Sequence, residues 1–326
     1  MMRIFFSVGE PSGDVHGANL VRELQQQNPD VECVGFGGPK MRDAGCQLLL
    51  DLTQFAVMFF WTAIKNYPKF KGFVRDAEKY FDSHHIDAVV LIDYPGFNWH
   101  IAKAAKKRGI PVFYYGVPQM WAWAPWRVHK LKRRVDHVLC KLPFEPEWFS
   151  RRGVTAHFVG HPFFDEAVNR KPNREFMESF ANPISGDQST LLLLPGSRDS
   201  EIERNWPTIR DAAAKAQKEF PQLRVVVGCF KKSQHQLIRH DIVDRGLSFE
   251  TFLNKTPELM RLATACIACG GSVSLRLLHN LLPTIIVYRI SRLQFFLQRF
   301  FIRVKYITLV NLITQRNPFP EHVHAL

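Results

Sequence analysis

The sequence predicts an α/β protein made of two doubly wound parallel sheets, and three observations predict it. Short apolar, β-prone runs alternate with segments of helical period. Gly, Pro or Asp clusters punctuate the changes of period. The series then starts afresh after a polar, Pro-containing stretch from about Asn169 to Thr190. Two Rossmann-like domains follow as the economical architecture, one over 1–165 and one over 166–326.

The elements of the first series pair in order. RIFFSV precedes the helix-like GANLVRELQQQ, VECVGFGG precedes PKMRDAG, DAVVLI precedes HIAKAAKKRG, and IPVFYYG runs into a Trp-rich loop. Parallel strands joined by helices need such βαβ units. The second series reads STLLLLPGSR, a helix near TIRDAAAKAQKEF, the strand LRVVVGCF, the run ATACIACGG, a helix from Val273 and the strand TIIVYRI. The sequence has no short-period repeat and no long low-complexity tract.

Composition narrows the class. The chain has 326 residues, 46% hydrophobic and 22% charged, enough for two domains with cores of their own. Its six cysteines follow no framework spacing. The tightest pair, Cys266 and Cys269, sits in an apolar run without a second pair of zinc ligands at finger-like spacing, so buried reduced thiols in a cytosolic protein are expected, with zinc the remote alternative. The start, MMRIFFSVGEPSGD, is too briefly apolar for a signal sequence. No apolar run approaches the roughly 18 residues that suggest a membrane span.

A formal charge of +13 favours an acidic partner: nucleic acid, an anionic membrane surface or a phosphorylated substrate. Two segments, Phe55–Phe73 and Arg292–Leu309, interleave aromatic residues with Lys and Arg. In the second, Leu293, Phe296 and Phe300 fall at helical spacing beside Arg292, Arg299, Arg303 and Lys305. That pattern fits a helix on an anionic membrane, and it also fits a core-facing helix with a solvated basic side. RRM and KH signatures are absent, and no nucleic acid is expected.

Three strand–turn–helix junctions carry small residues: SVGEPSGDVHG, LLPGSRDSEIE and ACGGSVSL. Small residues let backbone N–H groups approach a ligand, and the following helix turns its positive end toward an anion. None matches a full G-x-G-x-x-G fingerprint or a Walker A sequence, which argues against hydride and ATP chemistry. In LLPGSR, Arg198 offers a charged fork to phosphate oxygens; the competing reading is a surface salt bridge to Glu201 or Glu203. In LIDYPGFN, Asp93 either caps a turn or stands as a functional carboxylate at the ligand-binding end of a buried parallel strand.

Taken together, GEPSGD (Gly9 to Asp14), GFGGPKMRDAG, AVM (Ala56 to Met58), IDYPGFN, PQMWAW, LPFEP, FVGHP, LLPGSR with EIE, and YITLVNLI (Tyr306 to Ile313) occur in an order that resembles the bacterial lipid-A-disaccharide synthase family. These motifs span nearly the whole chain. The resemblance implies an inverting glycosyltransferase of the two-domain GT-B fold, with both domains facing an interdomain cleft. Its reaction joins UDP-2,3-diacylglucosamine to the 6-hydroxyl of 2,3-diacylglucosamine 1-phosphate (lipid X) and releases UDP.

By that resemblance Asp93 is the general base, a role suited to a carboxylate placed opposite a leaving group. Arg198, Gly196, Ser197 and the loop Gly270, Gly271 and Ser272 bind the donor's diphosphate, and Asn311 contributes on the nucleotide side. Glu10, Ser12, Gly13, Asp14, Asn98, Gln119, Trp123 and His161 build the acceptor side and the cleft. Val57, Met58, Phe60, Trp61 and Ile64 look like the acyl- and membrane-contacting region; core packing is the alternative. No cofactor and no metal is expected. The implied location is the cytoplasmic face of the inner membrane of an outer-membrane bacterium, with homodimerisation left open.

Two departures from the family pattern stand out. Arg276 occupies the position of a family glutamate that suits ribose hydroxyls, and a cation cannot accept those hydrogen bonds. The family pattern also continues past the NL segment into a region with a glutamine-containing motif. Weaker donor affinity is the resulting expectation, testable by UDP calorimetry on Arg276→Ala. The alternatives are an inactive relative that binds membranes peripherally, and another UDP-sugar transferase or epimerase of the same fold.

Overall fold

The structure, a computed structural model, describes residues 1–165, 171–181, 188–271, 273–290 and 304–325; the side chains of 56–67, 181, 324 and 325 lie outside the description. The chain forms two compact units, Met1–Pro162 and Phe163–Leu326.

The first unit holds a seven-stranded sheet in the order β3-β2-β1-β4-β5-β6-β7. Its strands are β1 (Arg3–Val8), β2 (Glu32–Gly37), β3 (Gln47–Asp51), β4 (Ala88–Ile92), β5 (Val112–Tyr115), β6 (His137–Cys140) and β7 (Ala156–Phe158), and all neighbours pair in parallel. Alternate side chains enter two different cores, as a strand's period of two requires. Phe5, Val89 and Leu91 enter one core. Ile4, Phe6, Val8, Val90 and Ile92 enter the other. Burial on both faces is why these strands read as unbroken apolar runs.

The second unit holds a six-stranded sheet in the order β10-β9-β8-β11-β12-β13. Here β8 is Thr190–Leu194, β9 Arg224–Cys229, β10 Glu250–Leu253, β11 Ala265–Ala268, β12 Thr284–Ile290 and β13 Glu321–Ala325. Leu192 and Leu194 of β8 enter one core while Leu191 and Leu193 enter the opposite one.

Both sheets reverse direction at their centre. In the first unit β1 and β4 are neighbours, with Val8 paired to Ile92. The helix after β1, Pro11–Gln27, packs Ala18 and Val21 on one face. The helix after β4, Pro95–Lys106, packs Phe97, Ile101 and Ala105 on the other. In the second unit β8 pairs with β11, Leu194 opposite Ala268, and their helices Asp199–Glu219 and Val273–His279 likewise take opposite faces. Diverging connections open a crevice at the strand carboxyl ends, where open α/β sheets bind ligands.

Several elements differ from the sequence reading. The first helix begins at Pro11, with Pro at its first turn, so Ser12, Gly13 and Asp14 are helical rather than in the preceding turn. The polar stretch between the domains contains the helix Arg174–Ala181. The aromatic segment from Phe55 lies in a 31-residue helix, Thr53–Ser83, with Pro68 inside. Among the described residues no helix is long and apolar enough to cross a membrane. The segment with Leu293, Phe296 and Phe300 beside Arg292, Arg299 and Arg303, read as either a membrane-surface helix or a core-facing helix with a basic side, lies outside the described residues.

Candidate active site

Asp93 follows β4 directly, at the crevice of the first unit. Asp93 and Tyr94 both have φ of 45°, two successive non-glycine residues in the left-handed region. This costs about 1–2 kcal/mol per ordinary residue, and the surroundings hold it in place. The Asp93 carbonyl accepts hydrogen bonds from Asn98 Nδ2 at 2.8 Å and Tyr114 Oη at 2.7 Å. Asn98 is fully buried, and its Nδ2 also donates to Ser7 O at 3.1 Å and Ile92 O at 3.2 Å. Its Oδ1 accepts from Ser7 Oγ at 2.6 Å. Asn98 therefore ties together the ends of β1 and β4. Strain of this kind clusters at functional sites.

The Asp93 backbone is held by its neighbours, and its carboxylate is presented at the edge. Oδ1 lies 3.6 Å from Lys141 Nζ, with the two side chains 22% and 25% exposed. Gly116, just beyond β5 with φ of 67°, makes this approach feasible: a Cβ there would fall 2.5 Å from Asp93 Oδ1 and 2.9 Å from Lys141 Nζ.

The GEPSGD residues divide into scaffold and surface. Asp14 is buried, and its carboxylate accepts the backbone N–H of Gly38 at 2.9 Å, Lys40 at 3.0 Å and Met41 at 3.1 Å. It thus caps the short helix Pro39–Asp43 and fastens the GFGGPKM loop. Glu10 is the N-cap residue of the first helix, Ser12 is exposed, and Gly13 packs against Val8 and Ile92. Gln119 is exposed in the loop after β5, and its carbonyl accepts the N–H of Ala122 and Trp123. Trp123 is 46% exposed, with the Arg127 guanidinium 4.8 Å from its ring centroid. Burial first, then the charges of Lys141 and His16, push His161 down to about 4, so it is neutral at pH 7. The side chains of Val57, Met58, Phe60, Trp61 and Ile64 lie outside the described residues.

In the second unit the loop Pro195–Arg198 leaves β8 for the helix Asp199–Glu219. Glu201 reaches back to it: Oε2 accepts Ser197 N–H at 2.9 Å and Arg198 N–H at 3.1 Å, while Oε1 lies 3.2 Å from Arg198 Nη1. The backbone donors expected to face a ligand are therefore capped by a carboxylate, and the Arg198–Glu201 pair is present. Arg198 is 79% exposed, so the pair is worth little and leaves the guanidinium available. Gly196 has φ of 136°. Gln234, buried after β9, donates to Ser197 O at 3.0 Å and Asp199 Oδ1 at 2.8 Å and braces the same loop.

Across this crevice Gly270 and Gly271 leave β11, and Gly270 packs beside Ile307 and Ile286. Ser272 lies outside the described residues. Arg276 sits half-buried on the helix Val273–His279, its guanidinium 5.7 Å from the Phe163 ring centroid. Asn311 is fully buried, and its side chain is taken up by the unit itself: Nδ2 donates to Asn317 Oδ1 at 2.9 Å, Phe319 O at 2.7 Å and Glu321 Oε1 at 2.9 Å. It organises the NL segment and does not project from it.

Sequence reasoning missed Lys141, Gly116, Gln234 and Glu321. Lys141 had a local signal, since it stands between the strand HVLC and LPFEP, but four residues are too few to call a strand by periodicity. Among the described residues no three His, Cys, Asp or Glu side chains converge as metal ligands. All six cysteines are free and buried.

The profile of the family described as lipid-A-disaccharide synthetase matches residues 4–325. The lipid-A-disaccharide synthase of Trichlorobacter lovleyi is 35% identical over 311 residues, covering 95% of this chain and 81% of that protein. The synthase of Myxococcus xanthus is 33% identical over 319 residues, covering 98% and 83%. Among solved structures, UDP-GlcNAc 2-epimerase from Methanocaldococcus jannaschii superposes with a TM-score of 0.60 at 12% identity, covering 99% of this chain and 89% of that one. MurG from Acinetobacter baumannii gives 0.51 at 14% identity, covering 88% and 79%. At such identities the structural matches speak to the fold alone, a two-domain α/β fold of the GT-B type. The sequence matches go further: this chain belongs to the lipid-A-disaccharide synthetase family.

Proposed function

We propose that this chain transfers the glucosamine unit of UDP-2,3-diacylglucosamine to the 6-hydroxyl of 2,3-diacylglucosamine 1-phosphate, with inversion and release of UDP. The observation that carries the mechanism is the Asp93 carboxylate, displayed at the switch point of the first unit on a strained, heavily braced turn. Asp93 takes the acceptor hydroxyl's proton as that oxygen attacks the anomeric carbon. The bond from that carbon to the diphosphate breaks, and UDP leaves with the electron pair. The first unit thus serves the acceptor and the second the donor.

On the donor side Arg198 neutralises charge developing on the leaving diphosphate. The diphosphate competes with Glu201 for the amides of Ser197 and Arg198. Arg198→Ala is expected to weaken UDP binding by about 10-fold or more, the loss of one charge-assisted hydrogen bond, with Arg198→Lys recovering only part. Calorimetry with UDP measures this, and unchanged affinity in Arg198→Ala would remove Arg198 from the site. With Arg276 in place of a ribose-facing carboxylate, the parent affinity is itself modest. The reaction is tested by disaccharide formation from the purified chain in detergent micelles; no product from a folded sample defeats the reading.

Lipid substrates call for contact with an anionic membrane, here the cytoplasmic face of an inner membrane. The segment 123–134 supports this. Trp123 is 46% and Trp126 60% exposed, beside the exposed cations Lys132 and Arg133. Burial first, and then the charges of Arg134 and Arg127, lower the Lys130 pKa. Exposed indoles with clustered cations suit a lipid headgroup layer. Flotation with vesicles containing phosphatidylglycerol is expected to retain the protein, to lose it as salt rises, and to retain less of the triple variant Trp126→Ser, Lys132→Gln, Arg133→Gln. Equal retention of parent and variant would discount this surface.

A further inference from the structure

We propose that Lys141 is a positioning residue for the transfer: its ammonium holds Oδ1 of Asp93 and leaves Oδ2 to receive the acceptor's proton. The inference rests on the reading of Asp93 as the base and adds how that base is aimed.

The geometry is built from several elements. β6 ends at Cys140, and the turn that follows is clamped by the buried carboxylate of Glu145. Its Oε2 accepts Lys141 N–H at 3.0 Å and Leu142 N–H at 2.9 Å, and its Oε1 accepts the Trp121 indole N–H at 2.9 Å. The PQMWAW and LPFEP motifs thus meet to fix the backbone of Lys141. The Lys141 ammonium lies 5.8 Å from the Tyr115 ring centroid and reaches Asp93 Oδ1 across the space that Gly116 leaves open.

The other carboxylate oxygen faces elsewhere. Oδ2 lies 3.8 Å from where a side chain on Gly13 would begin, toward the first turn of the helix Pro11–Gln27. Two oxygens with different neighbours give the carboxylate one orientation, and a base must be oriented within a fraction of an ångström to be effective. His161, neutral at pH 7, does not compete with Lys141 as a cation. Lys141 itself exchanges no proton: the acceptor's proton passes to Asp93 Oδ2, and the electron pair of the cleaved bond leaves with UDP.

Lys141→Met is expected to lower kcat by about 10- to 100-fold, the scale of a misplaced reacting group, with KM for both substrates changed less than about 2-fold. Chemical rescue separates charge from packing. In Lys141→Cys, 2-bromoethylamine rebuilds an ammonium of nearly lysine length, whereas 2-iodoethanol adds a neutral group of similar size. The native thiols are buried, and burial holds Cys33 up to about 11 and Cys46, Cys140, Cys229 and Cys269 up to about 12, with Cys266 raised as well, so they stay protonated and unmodified. Recovery of kcat with the amine alone supports the proposal.

Three results would overturn it: full activity in Lys141→Met; equal recovery with the neutral group; or a raised KM for the phosphorylated acceptor at unchanged kcat, which would make Lys141 a phosphate ligand. A readout independent of turnover comes from protein labelled with [13Cε]lysine. The Lys141 resonance, assigned by its loss in Lys141→Met, is expected to move in Asp93→Asn, and a stationary resonance rules out the pair. If the parent chain forms no disaccharide, the proposed reaction fails, and the resonance still decides whether Lys141 holds Asp93.

Discussion

Asp93→Asn is expected to lower kcat/KM for disaccharide formation by about 10²- to 10⁴-fold, the range for loss of a general base, while the melting temperature stays within about 2 °C of the parent. The two halves of this expectation come from different atoms. Asn98 and Tyr114 bind the carbonyl of Asp93, which the substitution leaves in place. Asn also tolerates the left-handed backbone that Asp93 adopts at φ of 45°. The fold therefore loses little, and the reaction loses its proton acceptor. Alanine is a poorer probe, because it adds backbone strain to the loss of the base. Near-parental turnover by Asp93→Asn, measured with product quantified over initial rates, would require another base.

The second large effect is expected at Glu321 and concerns stability. Its carboxylate accepts Ile307 N–H and Thr308 N–H at 2.8 Å, Thr308 Oγ at 2.7 Å and Asn311 Nδ2 at 2.9 Å. One side chain on β13 thereby anchors the whole approach to the helix Leu309–Thr314. Glu321→Leu strands these donors, several of them shielded from water, and broken networks of this kind cost about 3 kcal/mol or more. For a domain of this size the transition of the second unit should fall by roughly 6–12 °C. Glu321→Gln keeps one acceptor oxygen and should fall between parent and Leu. Scanning calorimetry checks the order, and a Leu variant that melts like the parent would show that this carboxylate is dispensable.

The structure also separates two residues that the family motifs present alike. Asp93 and Asn311 read alike in sequence, as polar residues in motifs of one family. In the structure the Asp93 carboxylate stands at an open edge, whereas every hydrogen-bonding atom of the Asn311 side chain is engaged inside its own unit. Asp14 behaves like Asn311: a motif aspartate whose carboxylate caps a neighbouring helix. A motif thus marks residues that build the site as readily as residues that act in it.

By itself the sequence determined the alternation of buried strands and helices, the restart that makes two doubly wound sheets, and the strand ends at which Asp93 and Arg198 stand. These are local signals: a period of two or 3.6, punctuated by Gly, Pro and Asp, is complete within a dozen residues. Short strands such as β6, β7 and β13 escaped, because three to five residues carry too little period and their place is set by the neighbour they pair with. Only the tertiary structure decided that Lys141 meets Asp93, that Glu145 and Trp121 clamp the turn between them, that Glu201 folds back over the amides of Ser197 and Arg198, and that Glu321 gathers the NL segment. The physical reason is common to most of these contacts. Apart from the local fold-backs of Glu201 onto Ser197 and Arg198 and of Glu145 onto Lys141 and Leu142, they join residues ten or more positions apart, and strand order, crossover direction and the space left by Gly116 bring them within hydrogen-bonding or ion-pair distance.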